Sequence, residues 1–187
     1  METPELFRAA VDVFGQHVHA IVPDQWHLPT PCPEWDVREL VNHVTGEDLW
    51  CVPLFAGSTI ADVGDRFDGD VLGDDPVATW DAAAADAIAA VAAPGAMDVT
   101  THLSFGDVPG REYTMQLFAD HLIHGWDLAR AIGADEALPD ELVDALATWF
   151  ADREELYRGA GVIGPKVAAA DGASAQDRLL AAFGRTP

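Results

Sequence analysis

The chain has 187 residues, among them seven histidines and 32 aspartates and glutamates, and a few of these stand at spacings that chemistry can use. Asp120 and His124 are separated by one helical turn. That interval stacks two side chains one above the other, where both can bind a single ion. His43 and Glu47 repeat the interval with the histidine first. A carboxylate and a histidine from one helix, joined by a histidine from another, make three protein donors and leave coordination positions open. That is the arrangement of a catalytic zinc site rather than a structural one. An open divalent ion lowers the pKa of a bound water or thiol and polarises a carbonyl. Mixed imidazole and carboxylate donors suit Zn²⁺, Ni²⁺ or Fe²⁺, and Zn²⁺ is the first expectation.

His43, Asp120 and His124 are therefore the candidate metal ligands, and Glu47 the candidate catalytic group. Glu47 would serve as a general base facing the open positions, or as a fourth ligand; a solvated carboxylate at a helix edge explains it equally. Asp127 can orient a ligating histidine or lie on the helix surface. Tyr113 shares the stripe of Asp120 and can line a pocket or simply pack. By spacing alone, a helix-edge ion pair beside a singly hydrogen-bonded histidine accounts for the same pattern, since so acidic a chain produces such pairs by chance.

The elements that must position these groups are helices. Thr3-Pro4-Glu5 reads as a helix start with the Thr3 hydroxyl as its cap, and Phe7, Ala10, Val11, Phe14, Val18 and Val22 continue one apolar stripe to about residue 22. The stretch 28–35 carries Pro29, Pro31 and Pro33 and reads as a stiffened loop. Asp36 with Glu39 reads as a capping box opening a second helix that breaks near Gly57. A loop is expected over 58–75, a third helix over about 76–93, and a strand-like stretch over 98–110. A fourth helix is expected from about Glu112 to Ile132 with Gly133 ending it. A fifth is expected from Pro139 through Tyr157, and a short one capped by Ser174 with Asp177. The fold class expected is all-α, a four-helix bundle with additional C-terminal helices, in a single domain over 1–187.

Ten basic residues against 32 acidic ones leave a formal charge of −22. A surface so negative repels phosphate backbones and anionic headgroups, which argues against nucleic acid and membranes as partners. No apolar run reaches bilayer length, and the acidic start lacks the basic region of a signal peptide, so a cytoplasmic location is expected. Cys32 and Cys51 form no disulfide or zinc-knuckle pattern and are expected to be reduced thiols. There is no glycine-rich phosphate loop, no nucleophile elbow, and no Cys/His pair at nucleophile spacing in the sequence.

Two motifs turn the balance toward a metal site. The stretch 35–47, Trp-Asp-Val-Arg-Glu-Leu-Val-Asn-His-Val-Thr-Gly-Glu, resembles the second helix of the DinB-like metal-binding bundles. It resembles most their actinobacterial branch, which includes the mycothiol-dependent maleylpyruvate isomerase N-terminal domain. Residues 120–129, Asp-His-Leu-Ile-His-Gly-Trp-Asp-Leu-Ala, resemble that branch's second metal motif, and the tail 176–185 resembles one common in single-domain relatives. The resemblance implies an up-down-down-up bundle with His43 and His124 as ligands. It places the remaining ligand four residues before His124, where isomerase-like members carry glutamate and this chain has Asp120. Aspartate is one methylene shorter, so the ion must lie closer to this helix or a water must bridge; His121 is the alternative donor.

The resemblance further implies a low-molecular-weight thiol, mycothiol, as co-substrate, activated at the metal for isomerisation or S-transfer to a small electrophile. The larger isomerase has a further C-terminal domain that helps form its active site. This sequence is not expected to supply it, so turnover of maleylpyruvate itself is not expected. A metal- or ligand-binding protein without turnover is the other reading, and a homodimer through a helix face is compatible with either.

Overall fold

The computed structural model describes every residue except Val162. By its contacts the chain divides into two compact units, Met1–Ala134 and Asp135–Pro187.

The first unit is built on four long helices: α1 (Thr3–Val18), α2 (Val37–Phe55), α4 (Pro76–Val91) and α5 (Gly110–Ile132), with a single-turn helix α3 (Ile60–Val63) between the second and third. Each long helix buries one stripe. In α1 it is Phe7, Ala10, Val11, Phe14 and Val18; in α2 it is Val37, Leu40, Val41, Val44, Cys51 and Leu54. Helix α1 packs on α5 and α4, and α2 packs on α4 and α5. The all-α class is as expected, and the strand-like stretch is a small antiparallel hairpin of β1 (Thr100–Leu103) and β2 (Gly106–Pro109). Among the described residues no helix is long and apolar enough to cross a membrane.

Several boundaries differ from the sequence expectation. Helix α1 is capped at Glu2 rather than Thr3, with the Glu5 carboxylate accepting from the Glu2 amide at 2.8 Å. It ends at Val18, before Pro23, because Ala20 turns back to bond His17 and a short 3₁₀ turn takes over at Pro23–Gln25. The loop after α2 contains α3, since Thr59 and Asp62 cap one another in the way Asp36 and Glu39 do. The second unit holds α6 (Asp140–Phe150), α7 (Glu154–Gly159) and α8 (Ala175–Ala182). The fifth helix expected through Tyr157 is thus two pieces, α6 and α7. Within this unit α6 packs on α8, Phe150 stacks on Phe183 at 4.1 Å, and Gln176 ties the backbone at Glu136 and Leu138.

Two features set the position of the helices that matter most. The reciprocal box at the start of α2 is complete, with Asp36 accepting from the Glu39 amide at 2.9 Å and Glu39 accepting from the Asp36 amide at 2.8 Å. At the start of α5, the Gly110 amide donates to Val99 O at 2.8 Å, and a Cβ there would stand 2.0 Å from the backbone oxygen of Ala96. Backbone cannot swing aside as a side chain can. Gly110→Ala is therefore expected to lower stability by about 3 kcal/mol, at the upper end of overpacking costs, as read from urea unfolding.

Candidate metal centre

Helices α2 and α5 meet along the stripes that carry the candidate ligands. His43 projects from α2, and Asp120 and His124 project from α5. Nε2 of His43 and Nε2 of His124 each lie 3.4 Å from Oδ1 of Asp120, and one donor atom from each of the three residues falls within 4.8 Å of the others. His124 is nearly buried, whereas Asp120 and His43 remain partly open, with 26% and 29% of their side chains exposed. One side of the cluster thus faces protein and the other solvent.

Asp120 Oδ2 is buried without a hydrogen-bond partner. An orphaned carboxylate oxygen is costly, and it is the kind of atom a cation satisfies. The His124 ring points the same way. Its Nδ1 lies 2.9 Å from Asp127 Oδ2, and an ionised carboxylate only accepts, so Nδ1 carries a proton. Burial disfavours charge on His124, but the Asp120 charge and hydrogen bonds to Asp120, Asp127 and Cys32 outweigh it and raise its pKa well above the usual histidine value. Nε2 faces Asp120 Oδ1 at 3.4 Å, where a divalent ion can bind while Asp127 keeps hold of the other nitrogen. For Asp120, burial pushes the pKa up, yet the two imidazoles beside it hold it well below the ordinary carboxylate range. The donor set of two imidazoles and one carboxylate fits a borderline divalent cation.

The aspartate's shorter reach does not separate the three groups, and His121 does not stand in for it. His121 is fully buried. Its Nδ1 bonds Leu117 O at 2.8 Å, its Nε2 faces Asp48 at 3.3 Å, and Phe7 and Phe14 of α1 meet its ring edge-on. The reason is helical phase: at ~100° per residue, position 121 turns away from the 120/124 stripe. The packing of α5 on α1 claims that face.

Glu47 lies one turn beyond His43 on α2, part-buried. Burial first, and the neighbouring Asp120 charge second, push its carboxyl up to about 6. It is not a member of the three-donor group. Tyr113 is buried and stacks on Phe55 at 5.7 Å. Burial, then the charge of Glu47, raises its hydroxyl well above the ordinary tyrosine value.

Two neighbours of the cluster are not apparent from sequence spacing. The loop 28–35 folds over it, stiffened by its prolines and wired by Thr30. The Thr30 hydroxyl donates to Trp35 O at 2.8 Å and accepts from the Cys32 amide at 3.1 Å. The loop lays the Trp35 ring 4.6 Å from that of His43 and 5.6 Å from that of His124. It also sets Cys32 Sγ 3.5 Å from Asp127 Oδ2 and 3.9 Å from His124 Nδ1. Ninety-two residues separate Cys32 from His124, so no local pattern joins them. The second omission is Asp48, buried in the core against His121. Its signal was available: it stands four residues after Val44 and seven after Val41, a carboxylate on the apolar stripe of α2.

Residues 7–129 match the family model described as the mycothiol maleylpyruvate isomerase N-terminal domain. The chain is also similar to an uncharacterized protein of Mycobacterium tuberculosis, found in strains CDC 1551 and H37Rv. It is 39% identical to each over 153 residues, which is 81% of this chain and 80% of the relative. No solved structure matches the chain. With two thirds of its length covered by the family model, from the first stripe of α1 to the end of the His124 motif on α5, the chain belongs to the family of the mycothiol maleylpyruvate isomerase N-terminal domain.

Proposed function

We propose that the chain is a metal- and thiol-dependent transferase or isomerase, in which His43, Asp120 and His124 hold a divalent ion and Glu47 manages a proton beside it. The observation that carries this reading is the convergence of donor atoms from His43, Asp120 and His124 within 4.8 Å of one another, with the Oδ2 atom of the same Asp120 carboxylate buried and unpaired. Zn²⁺ is the ion we assign, and mycothiol, the thiol in the family's own description, is the co-substrate. A divalent ion in that position supplies positive charge that favours a thiolate over a thiol at neutral pH and polarises a carbonyl.

The chain's own residues supply the rest. Asp127 holds the Nδ1 proton of His124 and so keeps Nε2 directed at the ligand position. Trp35 lies along both histidine rings and excludes water from that side, where low dielectric strengthens every charge interaction. Glu47, with its carboxyl raised to about 6, sits near the working range of a general base. It can accept the proton of an entering thiol at Oε and return it to the product carbon or leaving group. The strongly acidic surface gives no long-range attraction to free anions, which favours a bulky, largely neutral thiol adduct of a small electrophile as substrate.

The rival reading is a metal-dependent binding protein without turnover, and Glu47 separates the two. Glu47→Gln is expected to keep the bound metal while lowering thiol-dependent turnover by roughly 10²–10⁴-fold, the usual worth of a general base. The check is single-turnover thiol transfer to a small α,β-unsaturated acid or ketone, run beside metal analysis. Unchanged turnover in Glu47→Gln removes the base assignment. Absence of turnover in the metal-loaded wild type with every thiol acceptor tried leaves the binding-protein reading.

A further inference from the structure

The imidazole of His124 faces a different set of donors at each nitrogen. Nε2 looks toward Asp120 and His43. Nδ1 looks toward Asp127 Oδ2 at 2.9 Å and Cys32 Sγ at 3.9 Å, and Sγ and Oδ2 are themselves 3.5 Å apart. These three atoms also lie within 4.8 Å of one another. A tetrahedral cation bonded at about 2.3 Å to sulfur and about 2.0–2.1 Å to nitrogen and oxygen holds its donors roughly 3.3–3.6 Å apart. Two of the three observed separations lie within a few tenths of an ångström of that range. The third is a hydrogen bond that opens slightly when a cation replaces its proton.

We propose that Cys32, Asp127 and Nδ1 of His124 form a second cation site, suited to a thiophilic divalent ion such as Cd²⁺ or Zn²⁺. It competes with the first site for one imidazole. The proposal rests on the reading above only in sharing His124. A neutral imidazole has one lone pair and one N–H, so the ring serves one site at a time. With the cation at Nδ1, the ring proton sits on Nε2 and bonds Asp120 Oδ1, 3.4 Å away. With the cation at Nε2, it sits on Nδ1 and bonds Asp127. Each carboxylate is thus a ligand in one arrangement and the acceptor of the ring proton in the other.

The step is a ligand exchange without redox change. The Cys32 S–H bond breaks, its proton leaves to solvent, and a sulfur–metal bond forms; the Nδ1 proton is lost to solvent as Nε2 keeps or gains one. Thiolate and carboxylate together neutralise the dication at this site, whereas the first site's single carboxylate leaves net positive charge. Softness then divides the ions: thiolate-bearing sites favour soft cations and imidazole–carboxylate sites harder ones. Preorganisation comes from the loop, since Pro31 and Pro33 flank Cys32 and the Thr30 hydroxyl fixes its amide at 3.1 Å.

The test is titration of the metal-stripped full chain with Cd²⁺, read by the near-ultraviolet thiolate-to-cadmium charge-transfer band. The band is expected in the wild type, in Cys51→Ser and in His43→Ala, and is expected to vanish in Cys32→Ser and to weaken at least tenfold in apparent affinity in Asp127→Asn. Cd²⁺ is also expected to slow alkylation of Cys32 in the wild type. A wild type without the band, or a band that persists in Cys32→Ser protein whose circular dichroism is native, overturns the proposal. Zn²⁺ bound in a His43-dependent way without any cadmium–thiolate band would sink this site and leave the first one standing. A cadmium band in a chain that never holds metal through His43 would do the reverse.

Discussion

His124→Ala protein is expected to hold less than about a tenth of the divalent metal that the wild type carries, which for a three-donor site is about one equivalent. His43→Ala is expected to lose most of its metal as well, though less completely. Three protein donors are the minimum of an open catalytic site, and removing one leaves a pair that competes poorly with water and buffer. His124 is the more sensitive of the two, because it is nearly buried and its far nitrogen is held by Asp127 at 2.9 Å. Losing an outer orienting group alone typically costs about 10–100-fold in metal affinity, and losing the ligand it orients costs more. Metal analysis of freshly purified protein, with zinc titration against a chromophoric chelator, makes the measurement. Full metal content in both variants would remove the site.

Asp48→Ala is expected to cost about 3–5 kcal/mol, the range for stripping one partner from a buried ion pair, with a fall in Tm on the order of 10 °C for a chain of this size. His121 is the reason. Both of its ring nitrogens face acceptors, Leu117 O at 2.8 Å and Asp48 at 3.3 Å, so both carry protons when the pair is intact. Burial lowers the pKa of His121, but the Asp48 charge and hydrogen bond outweigh it and leave it raised. A histidine whose folded pKa exceeds its unfolded one binds its proton more tightly in the native state. Its contribution is complete below the unfolded value of about 6.5 and is lost as pH rises through the folded value. The stability gap between wild type and Asp48→Ala should therefore narrow as pH is raised from 6 into the alkaline range. Asp48→Asn should lose less, because its amide oxygen still accepts a hydrogen bond. Thermal melts of the metal-stripped proteins across pH test both statements, and a gap that widens with pH contradicts the assignment of a protonated His121.

The two effects separate what the neighbours on α5 do. Asp120 and His124 face α2 and the open side of the bundle, while His121, between them in sequence, faces α1 and stabilises the core. In the sequence all three stand in one motif, Asp-His-Leu-Ile-His, and which histidine or carboxylate belonged to which role could be argued only from helical phase and family likeness. Helical phase at ~100° per residue turns His121 away from the stripe of Asp120 and His124. It does not place Phe7 and Phe14 against its ring or Asp48 opposite it, because those contacts depend on which helix lies on that face.

Local signals were legible wherever they act over one turn of chain. The box of Asp36 with Glu39, the cap of Ser174 with Asp177, Gly133 after α5 and the apolar stripes of α1 and α2 are all read from residues three or four apart, since that is the range of capping and helical periodicity. The errors have the same physical scale. The early end of α1 and the break between α6 and α7 fall where turn hydrogen bonds, from Ala20 to His17 O and from Arg153 to Phe150 O, replace the helical ones.

By itself, then, the sequence determined the helical class, the starts of α2, α4 and α8, the family and the short list of His43, Glu47, Asp120 and His124. Only the tertiary structure decided that three of these come within 4.8 Å of one another and that an oxygen of Asp120 is left unpaired there. It alone buried His121 against Asp48 and brought Cys32 across 92 residues to the far nitrogen of His124. The physical reason is that spacing along a helix fixes the direction of a side chain but not what lies in that direction. Long-range neighbours are chosen by the packing of whole stripes, in which a single polar residue has little say until the helices have met.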